Sequence, residues 1–315
     1  MTESPLVTVV MPCFNAARTV RDAMAAARAQ SYRPIEIIAV DDGSTDDTLA
    51  LLRQAAGSDL QVIACAQNGG VAAARNRAIA AARGEFLAFL DADDTWAPDK
   101  LSRQMAIVAA DARMVLIGCR AEVHYVDGTR AIVNRQRMPP QGAAAWLSML
   151  HHSYLVPSMV IARTATARTI GGFDESLRSA EEDQDFFIRM ALQGEVGFVD
   201  ACLTAMHEQP ASLSSRNRNR EYETVLPMIE RHCRLLGERL TPGQRRTILG
   251  ARLTAIGRGV YPTLPRQGLA LLAHAIAKGD APLANLYYLL TASPWGRRLK
   301  ARLRHSAGAE TLART

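Results

Sequence analysis

Three carboxylates stand within four residues at Asp91-Ala92-Asp93-Asp94, directly after the apolar run Phe86-Leu87-Ala88-Phe89-Leu90. A buried strand that surfaces into this much negative charge needs a cation or a network of donors beside it. A hard divalent ion with oxygen ligands, Mg2+ or Mn2+, meets that need, and such ions are commonly held jointly with phosphate. Aspartate also favours turns and helix N-caps. Taken alone, the cluster therefore reads more readily as a solvated turn, and the elements around it must decide.

Those elements alternate. Short β-branched or apolar runs at 6–11, 35–40, 60–64 and 86–90 predict strands, and the segments 16–30, 45–56 and 71–82 predict helices. Strand–helix alternation of this length implies βαβ units around a parallel sheet, the α/β class, with ligands outside the carboxyl ends of the strands. Three of those ends carry Pro12-Cys13-Phe14-Asn15, Asp41-Asp42-Gly43-Ser44 and Asp91-Ala92-Asp93-Asp94, so polar groups converge on one edge. Beyond Pro98 the pattern loosens: strands are expected at 114–118, 120–126, 156–161 and 196–204. A loop is expected at 133–140, with helices at 142–150 and 181–193. From about Arg220 only helices are expected, broken at Pro227, Gly237, Pro262, Pro265, Pro282 and Pro294.

Of the chain's 315 residues, 48% are hydrophobic and 22% charged, ordinary values for a globular protein. Five scattered cysteines without a C-x-x-C pair argue against a disulfide framework or a zinc site and suit a reducing cytoplasm. The start, Met1-Thr2-Glu3-Ser4-Pro5, lacks the basic region of a secretory leader, and no apolar run approaches membrane-spanning length. Charge is unevenly divided. Residues 1–215 hold 19 basic and 25 acidic side chains, a net of −6, whereas residues 216–315 hold 18 against 6, a net of +12. A basic second part points to an anionic partner.

Six segments in order, Val9 to Asn15, Val40 to Asp46, Asn68 to Asn76, Asp91 to Asp94, Gly171-Gly172-Phe173-Asp174-Glu175 and Glu182-Asp183-x-Asp185-Phe186, strongly resemble the family 2 glycosyltransferases. The resemblance covers about residues 5–215. It implies a GT-A fold, Rossmann-like with a mostly parallel central sheet flanked by helices, here followed by a C-terminal α-helical extension. The implied domains are a catalytic one over 1–215 and a basic helical one over 216–315. The implied activity is inverting, hexosyl-type transfer from a nucleotide-diphosphate donor, with UDP-sugar expected, to a hydroxyl of a surface polysaccharide, glycolipid or related glycan. Mn2+ or Mg2+ is the implied cofactor.

The resemblance assigns roles residue by residue. Asp93 is the expected metal ligand, Asp91 the ribose-side or water-mediated partner, and Asp94 belongs to either shell. His207, after the last expected strand, stands where relatives often supply a further metal ligand; a structural role weighs equally. Asp42 is expected to recognise the base, with Asp41 as its alternative, while Asp46 or Ser44 caps the following helix. Pro12 and Phe14 would line the base pocket with Asn15 beside them. Arg75 would contact the nucleotide or its phosphate, or else pair with the acidic cluster. Asp183 is the expected general base, with its acidic neighbours as alternatives. Asp174 and Glu175 would shape the sugar pocket or the acceptor entrance. The Q-x-x-R-W motif of processive synthases is missing, and Arg216 or Arg218 would form a lid over the diphosphate.

At the C-terminal end, Leu283 to Leu290, Trp295 and the run Arg297 to Arg304 combine aromatics with clustered cations, which fits a helix on an anionic membrane surface. Packing on the catalytic domain or on a second subunit is the competing reading, so an oligomer stays open. No nucleic-acid motif is present, and nucleic acid is not an expected partner. The expected location is the cytoplasm, with a peripheral position on the inner face of the cytoplasmic membrane. The competing functional class is a non-catalytic nucleotide-sugar-binding relative serving as a regulatory or scaffold subunit. A nicotinamide dehydrogenase is excluded because no G-x-G-x-x-G follows the first strand.

Overall fold

The computed structural model describes residues 4–133, 135, 139, 141–177, 181–208, 221–261 and 264–279. The chain divides into two compact units, one ending at Ser215 and one beginning at Arg216.

The first unit begins with alternating strands and helices. These are β1 (Val7–Cys13), α1 (Val20–Arg28), β2 (Ile35–Asp41), α2 (Thr48–Ala55), β3 (Leu60–Ala64), α3 (Val71–Ala81) and β4 (Phe86–Phe89). All seven residues of β1 and all four of β4 are buried, as expected of central strands covered on both faces. Parallel pairing sets β2 and β4 on either side of β1, with Val9 opposite both Ile37 and Ala88, and sets β3 outside β2. This register brings Cys13 level with Asp41, so the loops after β1 and β2 emerge together.

The remaining elements are β5 (Thr95–Trp96), α4 (Lys100–Ala110), β6 (Met114–His124), β7 (Arg130–Ile132), α5 (Ala145–His151), β8 (Ile161–Arg163), α6 (Thr164–Thr169), α7 (Glu182–Ala191) and β9 (Glu195–His207). The sheet order is β3-β2-β1-β4-β8-β6-β9-β5, with β7 paired to β6. Parallel pairing is confined to β3-β2-β1-β4 and to β6 with β9; β8 runs antiparallel to both its neighbours, and β5 runs antiparallel to β9. The architecture is mixed α/β, built on a single nine-stranded sheet.

Several expectations need correction in this half. The two strands expected at 114–118 and 120–126 are one strand, β6, which ends at His124; the apparent break falls where its register with β9 slips around Cys119 and Arg120, at a bulge. The strand expected at 156–161 is instead a 3-10 turn over Pro157–Met159 followed by β8. Pro157 has no N–H to give to a ladder, which suits the first position of a turn. Helix α4 was not expected at all. Its buried residues Leu101, Met105 and Val108 follow helical spacing and pack on the β1–β2–β4 core beneath the strand ends.

In the second unit, α8 (Glu221–Leu235), α9 (Pro242–Val260) and α10 (Pro265–Ala277) are helical, as expected, but α8 continues through Pro227, where a break was expected. Thr241 and Gln244 close a capping box at the start of α9. Close approach of α9 and α10 is permitted by Gly257, where a Cβ would lie 2.8 Å from Leu272. Among the described residues no helix is long and apolar enough to cross a membrane. The tail segments around Leu283 to Arg304, and Arg216 and Arg218, lie outside the described residues.

Candidate active site

The β1 and β2 loops are laced together by short polar side chains. Asn15, at φ 50°, accepts from the Thr45 N–H at 2.9 Å and gives its own N–H to Ser44 Oγ at 3.0 Å. Asp46 accepts from the Thr48 N–H at 3.0 Å and so caps α2 from two residues upstream. Phe14 is half exposed at the strand end, whereas Pro12 is enclosed within β1. Asp42 is buried, and its carboxylate accepts from the Gly69 and Gly70 N–H groups at 2.8–3.1 Å, with Arg77 at 3.5 Å. Asp41 accepts weakly from the Ser44 N–H, and its Oδ1 is buried with no hydrogen-bond partner. The structure thus occupies Asp42 in holding the start of α3 and leaves an acceptor atom on Asp41 unsatisfied. Cys13, one residue inside, is a buried thiol bonded to the Met11 carbonyl, held protonated by burial first and then by Asp41 and Asp91.

Arg75 sits on α3 with 3% of its side chain exposed and joins two acidic segments that are 91 residues apart. Its Nη2 bonds Asp91 at 2.8 Å and its Nη1 bonds Glu182 at 2.9 Å, while its guanidinium lies 5.2 Å from the Phe173 ring centroid. Burial disfavours that charge, but Asp91 and Glu182 more than restore it, so the group stays protonated. Of the two roles open to Arg75 from sequence, the ion pair with the acidic cluster is the one the geometry displays. Below it, Phe173 stacks on Phe186 at 4.1 Å, and Phe89 meets both edge-on at 5.4 and 5.6 Å. The aromatics of three motifs are therefore one packed cluster. Gly172, at φ +71°, is required there, because a Cβ would lie 2.4 Å from Asn76 Oδ1.

The three acids of the 91–94 loop have different surroundings. Asp91 is paired with Arg75, and its N–H donates to Ser158 Oγ at 3.0 Å. Asp94 is buried, bonded through its carboxylate to the Ser158 hydroxyl and the His207 N–H, and pushed well above the usual carboxylate range by burial and then by Asp91 and Asp93. Asp93 has no cationic partner among the described residues; burial first, then the charge of Asp91, pushes it up to about 6. An unbalanced carboxylate of this kind fits a divalent cation. No group of three or more His, Cys, Asp or Glu among the described residues is arranged to hold an ion by itself.

His207 ends β9 level with His124 of β6, the rings edge-to-face at 5.0 Å, and its Nε2 is 3.4 Å from Thr95 Oγ1. The strand pairing thus brings it to the 91–94 loop. Burial, then His124, lowers its pKa, which keeps a ring nitrogen available as a ligand. Asp183, second in α7, accepts from the Gln184 N–H at 2.6 Å; burial and then Glu182 push its carboxyl well up, and Arg75 opposes them. Asp185 is fully buried in an ion pair with Arg189 at 2.6 Å and plays a structural part. Glu175 accepts from Asn76 at 2.9 Å, and Asp174 from the Ser176 N–H and hydroxyl, so both are tied into their turn. Sequence reasoning missed Ser158, Asn76 and the bridging role of Glu182; only the polar residue inside the apolar stretch 155–162 marked Ser158.

On this sheet, which has the GT-A fold, two acid segments are joined by one buried cation and floored by one aromatic cluster. The chain belongs to the Glycosyl transferase family 2, whose profile matches residues 8–166. An uncharacterised glycosyltransferase of Rickettsia typhi is 30% identical over 231 residues, which is 71% of each chain. The Escherichia coli UDP-Glc:alpha-D-GlcNAc-diphosphoundecaprenol beta-1,3-glucosyltransferase WfaP is 39% identical over 103 residues, 32% of this chain and 40% of that one. The mannosyltransferase PcManGT of Pyrobaculum calidifontis, solved with GDP-Man and Mn2+, shares the fold at a TM-score of 0.63 and 21% identity over 95% of this chain and 84% of that one.

Arg75→Met leaves Glu182 and Asp91 without their counter-charge, and equilibrium unfolding should show a loss of about 3–5 kcal/mol. Asp183 titrates near pH 4 when unfolded and higher when folded. The native state therefore holds more protons above about pH 4, so stability declines as pH rises toward the raised value. Asp183→Asn removes that decline. Calorimetry across pH should find the variant's melting temperature gaining on the wild type's from about pH 4 upward.

Proposed function

We propose that this glycosyltransferase moves a hexosyl unit from a nucleotide-diphosphate donor, a UDP-sugar, to a hydroxyl of a lipid-linked or surface glycan, with inversion at the anomeric carbon. The observation that carries this reading is the Arg75 bridge, which holds the Asp91–Asp94 loop and Glu182-Asp183 against a single guanidinium. Asp93, with His207 near it, would hold Mn2+ or Mg2+, which when bound supplies charge neutralisation for the departing diphosphate. Asp91 would orient the ribose or the ion's water while Arg75 fixes Asp91 itself. Phe14 would offer its half-exposed face to the base, beside Asn15, and Asp42 or the unsatisfied Oδ1 of Asp41 would accept from the base's ring N–H. Asp183 would take the proton from the attacking acceptor hydroxyl, and a carboxyl titrating nearer neutrality suits a general base. Lipid-linked acceptors are favoured by the likeness to WfaP, UDP by the same likeness, and a divalent ion by the likeness to PcManGT.

The second unit supports a cytoplasmic, membrane-peripheral setting for this reaction. Its groove of about 680 Å³ is lined by Arg245, Arg246, His274 and Lys278 with no acidic side chain, in a segment of net charge +12. Such a surface would attract anionic headgroups.

Two measurements test the reading. In a screen of nucleotide sugars with Mn2+, Asp183→Asn should retain donor binding while losing about 10²–10⁴-fold in transfer. Equal loss of both, or undiminished transfer, would remove Asp183 as the base, and retained binding without any transfer by the wild type would make the chain a binding subunit. Changing Arg245, Arg246 and Lys278 to Gln should weaken co-sedimentation with phosphatidylglycerol vesicles by about 1 kcal/mol per side chain; unchanged sedimentation would reject membrane contact through this groove.

A further inference from the structure

Lys100 is an anomaly. It opens α4 seven residues after Asp93, and its side chain is completely buried. Its ammonium donates to Gln104 Oε1 at 2.8 Å and stands 4.2 Å from the centroid of the Trp96 ring, but no carboxylate pairs with it among the described residues. Burial lowers its pKa to about 8, with the nearby Cys119 pulling the other way. A buried ammonium with so little compensation is costly, and an apolar side chain of similar length would fill the space without that cost.

Each partner of Lys100 leads to the same place. Gln104 gives its Nε2 hydrogens to the carbonyls of Ile117 and Met159, both at 2.9 Å. Trp96 Nε1 donates to the Ser158 carbonyl at 2.8 Å, and Thr204 Oγ1 donates to the same oxygen at 2.9 Å. Cys119 Sγ approaches the Met159 carbonyl at 3.3 Å. The turn so gripped carries the Ser158 hydroxyl, which accepts from the Asp91 N–H and donates to the Asp94 carboxylate. A lysine is suited to this task because an ammonium only donates. It forces the Gln104 oxygen toward itself and hence the amide hydrogens toward the two carbonyls. Its charge also holds the Trp96 ring face, which aims the indole N–H at Ser158.

We propose that Lys100 is a positioning residue for the 91–94 carboxylate loop, acting through Gln104 and Trp96 on the Ser158–Met159 turn that holds both ends of that loop. Asp93, between the two held acids, is thereby presented in one place. The inference rests on the reading of this loop as the metal and diphosphate clamp.

Lys100→Met, Ser158→Ala and the double variant test it, with thermal unfolding and Mn2+-dependent UDP binding by calorimetry as readouts. Lys100→Met should keep or raise the melting temperature, since it removes an unpaired buried charge, yet weaken UDP binding in Mn2+ at least tenfold. Ser158→Ala should weaken binding similarly, and the double variant should lose less than threefold more, because both cut one chain of contacts. Binding within twofold of wild type in either single variant would overturn the proposal. So would an unfolded Lys100→Met, or one whose stability and binding fall together, either of which would make Lys100 a packing residue. If the wild type binds no UDP with Mn2+, the clamp reading itself fails, a result separable from wild-type binding that survives in the variants.

Discussion

The structure of the site depends on one buried guanidinium. Without Arg75, the loop after β4 and the start of α7 are two acidic segments that would repel each other at close range. With it, each segment gives one carboxylate to a shared cation, at 2.8 and 2.9 Å, and the aromatic cluster of Phe89, Phe173 and Phe186 packs beneath. Pairing of this kind adds little to net stability, because desolvation of three charged groups offsets most of the attraction. Its consequence is geometric: residues 91 positions apart are fixed against each other.

That constraint divides the labour inside the carboxylate loop. Asp91 is neutralised by Arg75, and Asp94 is withdrawn into a buried pocket with Ser158 and the His207 N–H. Asp93 alone keeps an unbalanced charge, and in the proposed reading it faces the ion and the diphosphate. On the other side of the bridge Glu182 is consumed as the counter-charge and Asp185 by Arg189, and in the proposed reading Asp183 is the acid of that segment that takes the proton.

Much of this was legible in the sequence because local pattern and site coincide in the first half of the chain. Buried strands read as continuous apolar runs, each ended by a polar segment, and the parallel register aligns those ends. The second half was harder. β6 is interrupted by a bulge, β5 has two residues, and Ser158 sits in a turn whose apolar neighbours imitate a strand. Helix α4 was hidden by the Pro98-Asp99 break and by a lysine and a glutamine on its buried face, which no amphipathic pattern anticipates. Arg75 could be singled out, but the choice between nucleotide and acid cluster required three-dimensional proximity. The same holds for Asp41 and Asp42, adjacent in sequence yet separated by the Gly69-Gly70 contact, which engages one and spares the other.

The most direct measurement of the central claim is anomalous diffraction from crystals grown with Mn2+ and UDP. The account predicts one Mn2+ peak bonded to the Asp93 carboxylate, shared with the diphosphate, with Arg75 still bridging Asp91 and Glu182. A peak away from the 91–94 loop, or an Arg75 that leaves both acids to bind the nucleotide, would contradict it.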